Sequence, residues 1–244
     1  MLLNLLLGQR LVSGWERTPS TDLHILAVPG GEAVIFQGAD PRAADLILTN
    51  LIRRTYPIDE RILAPALTRV GVSKLGRVVV LEADHGALDD LLRVTRTYHA
   101  DSFLVAPELQ NAVADVLLHQ GIPYPIDLVA ADSCLSVRSE EIRFHLGDVD
   151  LTYVRSSRPA LGAAVGEQSD VLLLGRQAAA RTGPAEIVAR VAVGSNWLDS
   201  DRDLSAPVSG ADYSASRFDL AYFGALRIRV LDGRRDSLQT RLYP

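Results

Sequence analysis

The sequence predicts an α/β fold in which two layered sheets and their helices form a single domain. Three observations support this prediction: the length of 244 residues, the composition of 48% hydrophobic and 23% charged residues, and the order of the elements. A chain of this size and composition can bury a sizeable core as one unit. Antiparallel strands open the chain, strand–helix units occupy its middle and strands return at its end. This order favours a layered sandwich over a doubly wound parallel sheet.

Strands are predicted where β-prone runs lie between turn residues. Pro29, Gly30 and Gly31 interrupt two such runs over residues 23–36, which indicates a hairpin. The wholly apolar run 77–81 is typical of a buried central strand. Further strands are predicted at 45–49, 102–106, 127–130, 135–138, 142–146, 151–154, 171–174, 226–230 and 239–242, the last two flanking the turn Asp232-Gly233.

Helices are predicted where apolar residues recur at intervals of three and four. The predicted helices are 58–70, 87–98, 108–120 and 184–190, and Gly71 and Gly121 follow two of them as stop signals. Arginine alternates with apolar residues in the segment Leu226–Val230, which indicates an edge strand with one solvated face. The alternative is a groove for phosphates formed by the arginines of the tail, which are Arg217, Arg227, Arg229, Arg234, Arg235 and Arg241.

The charge and cysteine counts exclude some classes of protein. The net charge is −5 and the isoelectric point is near 5.5, which argues against a surface that holds duplex nucleic acid, although a local basic groove is compatible with it. Cys134 is the only cysteine, so an internal disulfide and a multi-cysteine zinc site are excluded. No nucleophile elbow, P-loop or dinucleotide motif occurs in the sequence.

The chain opens with the apolar run Met1–Gly8, which is too short to cross a bilayer that needs about 20 residues. Without a basic segment before it or a small-residue cleavage site after it, the run does not fit a signal peptide. Two interpretations remain, the first turns of an amphipathic helix or the end of a transmembrane helix whose upstream part is missing. We therefore divide the chain into an apolar segment and linker, residues 1–22, and a domain, residues 23–244.

Four segments resemble a known family when they are taken in order. They read LAVPGGEA at 26–33, LILTN at 46–50, PALTRVGV at 65–72 and LEADHGALDDL at 81–91. They are similar to the patterns L-D-V-G-Q-G-D-A, L-I-D-T-G, P-x-L-x-x-x-G-V and T-H-x-H-x-D-H-x-G-G-L of the metallo-β-lactamase-fold domain of the ComEC competence proteins, a DNA-internalisation channel family. The resemblance covers residues 23–130 well and implies an αββα sandwich of metallo-β-lactamase type.

The chain departs from this family at the positions that bind metal. The family's loop holds one or two ions, usually zinc or manganese, and in the ungapped alignment its ligands become Glu82, Asp84, Gly86 and Ala87. A shift of two residues places Asp84 and His85 on the family's D-H, but leaves the two earlier histidine positions without ligands. The family's strand aspartate is replaced by Leu48. The resemblance therefore implies a domain without a metal cofactor and without catalytic residues.

Arg176 is a candidate phosphate-binding residue. One alignment of the segment after residue 170 places Arg176 at a metal-bridging aspartate, and another places Arg176 and Gln177 at two histidines. A guanidinium has no lone pair to donate and repels a dication, but it can hold a phosphate oxygen. The alternative is that Arg176 pairs with a carboxylate such as Glu82 or Asp84.

The acidic cluster after the central strand has two interpretations. Glu82, Asp84 and His85, with Asp89 and Asp90 nearby, could bind a hard cation. The alternative is structural: Asp84 or His85 caps the helix that starts near Ala87, and Asp89 and Asp90 lie in its first turn. The isolated histidines, for which surface or packing roles are expected, are His24, His99, His119 and His145.

The sequence as a whole predicts a catalytically inactive domain that is accessory to DNA uptake at a membrane. The alternative is a nuclease that uses zinc or manganese, with Asp84 and His85 as catalytic residues and Glu82, Asp84 and His85 as metal ligands. The expected partners are a membrane channel domain or subunit and, weakly, single-stranded DNA; no small-molecule ligand is indicated. The expected location is therefore at the membrane.

Overall fold

Two β-sheets form the framework of this protein. The computed structural model describes residues 20–53, 55–119, 126–128, 135–137, 141–146, 149–154, 169–175, 191–194, 216–219, 225–231 and 238–243. The larger sheet has eight strands in the order β14-β13-β1-β2-β3-β4-β5-β6, and the smaller sheet has six in the order β12-β11-β10-β9-β8-β7. The predicted α/β class with two sheets is confirmed.

The larger sheet combines strands from both ends of the described chain. Neighbours from β14 to β3 run antiparallel, whereas β3, β4, β5 and β6 run parallel to one another. Its strands are β1 (Ser20–Val28), β2 (Gly31–Gln37), β3 (Ala43–Leu48), β4 (Lys74–Val80), β5 (Ser102–Val105), β6 (Ile126–Leu128), β13 (Ala225–Leu231) and β14 (Leu238–Tyr243). The predicted opening hairpin and the predicted central strand are both present.

The smaller sheet is antiparallel at one end and parallel at the other. Strands β7, β8 and β9 alternate in direction, and β9 to β12 run parallel. Its strands are β7 (Leu135–Val137), β8 (Glu141–Leu146), β9 (Val149–Val154), β10 (Val171–Leu174), β11 (Val191–Gly194) and β12 (Ser216–Asp219). Strands β11 and β12 were not among the strands predicted from the sequence. The predicted helix 184–190 and the turn at 232–233 lie outside the described residues.

Three α-helices are described, and each matches a predicted one. They are α1 (Ala64–Val70), which continues from a π-helical turn at Asp59–Leu63, α2 (His85–Tyr98) and α3 (Gln110–His119), which follows a 3₁₀ turn at Pro107–Leu109. Gly71 ends α1 in the left-handed conformation with φ 81°, as its position predicted. None of the helices in the described ranges is both long and apolar enough to cross a membrane.

The π-helical turn before α1 has a cause in the sequence. Pro65 lies in the first turn of α1, so it cannot donate a backbone hydrogen bond, and its ring crowds the carbonyl four residues earlier. A π-turn lengthens the hydrogen-bonded loop to five residues and gives that ring room. The predicted helix 58–70 is therefore present as a π-helical turn, which ends at Leu63, followed directly by the α-helix α1.

The helices cover one face of the larger sheet, and the smaller sheet shares a core with the other face. Leu46 and Leu48 of β3 pack with the helices, whereas Ile47 between them packs with residues of both sheets. Val78 and Val80 face the helices in the same way, and Val79 faces the inter-sheet core. Burial on both faces explains why these strands are apolar without alternation.

One prediction about the end of the chain is wrong. The segment around Arg227 and Arg229 was expected to be an edge strand, but β13 lies between β1 and β14, so β14 is at the edge. Period-two alternation shows that a strand has two different faces, but it does not show whether both of its edges are paired. Both arginines bind Asp22 of β1 across the sheet.

Candidate functional site

The candidate site lies where the parallel strands β3 and β4 end. The chain continues the pairing of these strands for a few residues: Leu51 donates its backbone N–H to the Glu82 carbonyl at 2.9 Å, and Asp84 donates its own to the Leu51 carbonyl at 3.0 Å. The carboxyl ends of parallel strands are the usual place for binding sites in α/β proteins. Of the residues that the sequence singled out, Glu82 and Asp84 lie in this loop, and His85 begins the helix that follows it.

Asp84 is the N-cap of α2. Its Oδ1 accepts a hydrogen bond from the backbone N–H of Ala87 at 2.7 Å, and its Oδ2 accepts one from the backbone N–H of Arg53 at 2.8 Å. The backbone of Asp84 is extended, with φ −82° and ψ 164°, as a cap requires. The predicted capping role is confirmed for Asp84, whereas His85 is the exposed first residue of the helix.

Arg53 occupies the space beside the first turn of α2. A Cβ atom placed on Gly86 would lie 2.7 Å from Cδ of Arg53, so any side chain at position 86 would displace this arginine. Ala87, the next position of the alignment, is fully buried. The side chain of Arg53 therefore lies beside the start of α2, and a guanidinium there opposes the binding of a dication.

A buried acidic side chain, that of Glu32, lies near the start of the neighbouring strand β2. Glu32 of β2 and Thr49 after β3 are both fully buried. The Thr49 hydroxyl accepts a hydrogen bond from the Glu32 backbone N–H at 2.9 Å and donates one to Glu32 Oε2 at 3.0 Å. The sequence analysis did not single out Glu32. The sequence signal for a buried acidic residue was its position near the start of a predicted strand whose next four residues are apolar.

Asp90 has a different position from the one predicted. Asp89 and Asp90 were expected in the first turn of α2, but the helix begins at His85, which places both of them in its second turn. Asp90 is fully buried, and its Oδ2 accepts a hydrogen bond from the backbone N–H of Ile58 at 3.0 Å. Asp90 thus fastens α2 to the segment that precedes α1, which no local pattern could show.

Two arginines surround the buried carboxylate of Asp90. Arg93 bridges Asp90 and Asp59, and its Nε donates to Asp59 Oδ2 at 2.7 Å. These hydrogen bonds, above all the one to Asp59, raise the pKa of Arg93 above its ordinary value. Nε of Arg53 lies 3.7 Å from Asp90 Oδ1. Arg53, which lies beside Gly86, is therefore also close to the buried carboxylate of Asp90.

The residues of the loop do not fit a metal site. Within the described ranges, no three side chains of the histidine, cysteine, aspartate and glutamate types are grouped as ligands, so Glu82, Asp84 and His85 do not form such a set. Both oxygens of Asp84 already accept backbone hydrogen bonds. Arg176 and Gln177 lie outside the described residues, so the role of Arg176 stays a prediction.

Four histidines elsewhere in the fold have four different environments. Nδ1 of His145 lies 2.6 Å from Oδ1 of Asp150, and Nδ1 of His119 lies 2.7 Å from the carbonyl oxygen of Asp115. His24 is buried in β1, and its burial, followed by the nearby charge of Arg227, lowers its pKa. His99 ends α2 with φ 50°. Each of these residues has a local structural role.

Comparisons with known proteins assign no family to this chain. No model of a protein family matches the sequence, and no curated protein matches it either. The resemblance of residues 23–130 to the ComEC-type domain is therefore a hypothesis that depends on the four segments alone.

Proposed function

We propose that this chain is a metal-free, catalytically inactive domain of metallo-β-lactamase type that is accessory to DNA uptake. The observation that carries the proposal is the environment of Asp84. Both of its carboxylate oxygens accept hydrogen bonds from backbone N–H groups, and the side chain of Arg53 fills the space beside Gly86. The loop that would hold metal in an active relative instead links two strand ends and starts a helix.

The layers of the fold support the structural part of this proposal. Helices pack on one face of the larger sheet, and residues of the smaller sheet share the core on its other face. An αββα sandwich also has helices on one face of a sheet and a second sheet on the other, so this arrangement supports the proposal.

The replaced ligand positions support the inactive state. Leu48, at the position of the family's strand aspartate, is fully buried among the helix-side apolar residues. Activation of water by a metal requires several convergent neutral or anionic ligands. Here the four aligned positions are Glu82, the capping Asp84, Gly86 and the buried Ala87, and the guanidinium of Arg53 lies beside them.

The role in DNA uptake depends on the resemblance. A related domain would pack on or beside a membrane channel. Because the net charge is −5, binding to free single-stranded DNA is expected to be weak and steeply dependent on salt. Arg176 is the residue proposed to hold a phosphate oxygen in place of the former metal.

Metal analysis and a nuclease assay on the purified chain test the inactive state. We expect substoichiometric zinc and manganese and no cleavage of single-stranded DNA when either metal is added. The matched variants are Asp84→Ala and Asp89→Ala, which remove one carboxylate each from neighbouring positions. Stoichiometric metal and cleavage that Asp84→Ala abolishes and Asp89→Ala retains would replace the proposal with the zinc- or manganese-dependent nuclease.

A binding assay at low salt tests the DNA-related part separately. Wild type, Arg176→Ala and the control Arg61→Ala are titrated with a fluorescent single-stranded oligonucleotide. We expect weak binding that Arg176→Ala reduces and Arg61→Ala changes little, since Arg61 is an exposed residue of the π-helical turn. Equal binding by all three proteins, or none by wild type, would contradict a phosphate role for Arg176.

A further inference from the structure

A buried histidine lies where β1 meets its two neighbouring strands. His24 is 7% exposed and points to the helix-bearing face of the larger sheet, as does Leu26 two residues further along β1. The strand registers place it opposite Ile35 of β2 and opposite Arg227 of β13. Side chains directly opposite each other in antiparallel strands share a face and are close enough to interact. His24 therefore has an apolar neighbour on one side and a cation on the other.

Gln37 fixes the position of the proton on the neutral imidazole. Its Nε2 donates to the carbonyl oxygens of Pro41 at 2.6 Å and Val70 at 3.2 Å, which uses both amide hydrogens. Only its Oε1 remains for the side-chain hydrogen bond with His24. Because Nε2 of His24 has no partner among the described residues, this hydrogen bond involves Nδ1. The neutral ring therefore has its proton on Nδ1 and a buried lone pair on Nε2.

A second proton on this ring would be bound at Nε2, for which the described residues supply no acceptor. A buried N–H of a charged ring without an acceptor costs more free energy than a buried lone pair. Burial is accordingly the largest factor that lowers the pKa of His24, and the charge of Arg227 is the next. Asp22 and Gln37 act in the opposite direction. The proton is therefore bound more readily when the ring leaves its buried position.

The charged groups around the ring lie on one side of β1. On the β13 side, Arg227 binds Asp22 through Nη2 at 2.5 Å, and Arg229 binds the same carboxylate through Nε and Nη2. On the β2 side, the ring faces Ile35 and Gln37, which carry no charge. The charged residues further away are Arg241 of β14, opposite Arg227, and the exposed Asp40, Arg42 and Arg69 on the segments that bind Gln37. An imidazolium would thus repel Arg227 and compete with it for Asp22, while the hydrogen bond to Gln37 is retained.

From this geometry we infer that His24 is a proton-sensitive latch between β1 and the ribbon formed by β13 and β14. Protonation of its ring weakens the docking of the ribbon on β1, whereas the pairing of β1 with β2 is retained. The weakened pairing joins residues 20–26 of β1 to residues 225–231 of β13. The inference goes beyond the proposed function and does not depend on it, because none of these residues belongs to the loop of Asp84.

Amide hydrogen exchange in wild type tests the inference, with rates corrected for the intrinsic exchange rate at each pH. The two conditions are about one pH unit above and about one unit below the ordinary histidine pKa of about 6.5. A released ribbon leaves His24 with this ordinary pKa, so the opening equilibrium should increase by up to about tenfold at the lower pH. We expect the protection of the β13 amides to fall by that factor relative to the protection of the β2 amides.

Two histidine variants separate the latch from other effects of acid. His24→Gln removes the titrating ring but keeps a side chain that can bond to Gln37, so its β13 and β2 amides should respond equally to pH. The control His145→Gln removes an exposed histidine that pairs with Asp150 in the smaller sheet, and it should behave as wild type does.

Equal pH dependence of the β13 and β2 amides in wild type would overturn the inference. A selective fall in β13 protection that persists in His24→Gln would overturn it as well. The first comparison uses wild type alone, so it decides the matter even if His24→Gln does not fold.

Discussion

Asp84 accepts a hydrogen bond from the backbone N–H of Arg53 at 2.8 Å, although 31 residues separate them in the chain. This bond joins the segment after β3 to the start of α2. The same carboxylate caps the helix through the N–H of Ala87. The side chain of Asp84 thus fixes two segments at the ends of two parallel strands. Its contribution can be measured as a change in the free energy of unfolding.

The variant Asp84→Ala should reduce the free energy of unfolding by about 1–3 kcal/mol, since it removes a helix cap and a second backbone hydrogen bond. Asp84→Asn should lose less, because asparagine caps helices about as well as aspartate. Urea unfolding followed by circular dichroism gives both values. Asp89→Ala serves as the control from the same helix, and a loss of equal size in that variant would contradict the capping argument.

The variant Thr49→Val should also lower the free energy of unfolding, by about 1–3 kcal/mol, because it leaves buried polar groups of Glu32 without their hydroxyl partner. Valine has nearly the same shape, so little packing is lost. Thr97→Val is the matched control, since Thr97 is an exposed helix residue whose hydroxyl bonds to the Arg93 carbonyl. Equal chemical-denaturation midpoints for the two variants would show that the Glu32–Thr49 contact contributes little.

The variant Arg93→Met should destabilise the protein by about 1–2 kcal/mol, a value kept low because the arginine is 42% exposed. The loss arises because Asp59 and the fully buried Asp90 lose the guanidinium that binds both of them. Arg61→Met, from an exposed position, is the control for the charge change itself. Thermal unfolding of both variants checks the prediction, which fails if their melting temperatures are the same.

The stability of the protein should decrease with acidification because of His24. Its pKa is lowered in the folded state, mainly by burial, so the unfolded chain binds a proton more readily than the folded one. The stability that comes from the neutral, buried imidazole of His24 is fully present above the unfolded pKa of about 6.5. This stability is lost as the pH falls below that value, because the unfolded chain then gains a proton. His24→Gln should therefore show a shallower decrease in unfolding free energy between about pH 7 and pH 5 than wild type. Denaturant unfolding at a series of pH values measures this, and parallel curves would refute it.

Local patterns in the sequence were sufficient for many elements of the fold. The turn residues at 29–31 predicted the β1–β2 hairpin, and Gly71 predicted the end of α1. The residues around Asp84 predicted a capped helix start, because capping needs only the next few residues. The candidate site could therefore be located from sequence, but the partners of its side chains could not.

What the sequence by itself determined was the type and order of most elements, since these depend on side-chain period, turn residues and caps within about ten residues. Only the tertiary structure decided that β13 pairs with β1, so that Arg227 reaches Asp22 over a separation of 205 residues. It also decided that Asp90 is buried and that Arg53 lies over Gly86. Such contacts depend on which surfaces the whole chain buries together. The local sequence around Asp90 does not show whether this side chain contacts water or a residue that is distant in the chain, such as Arg53.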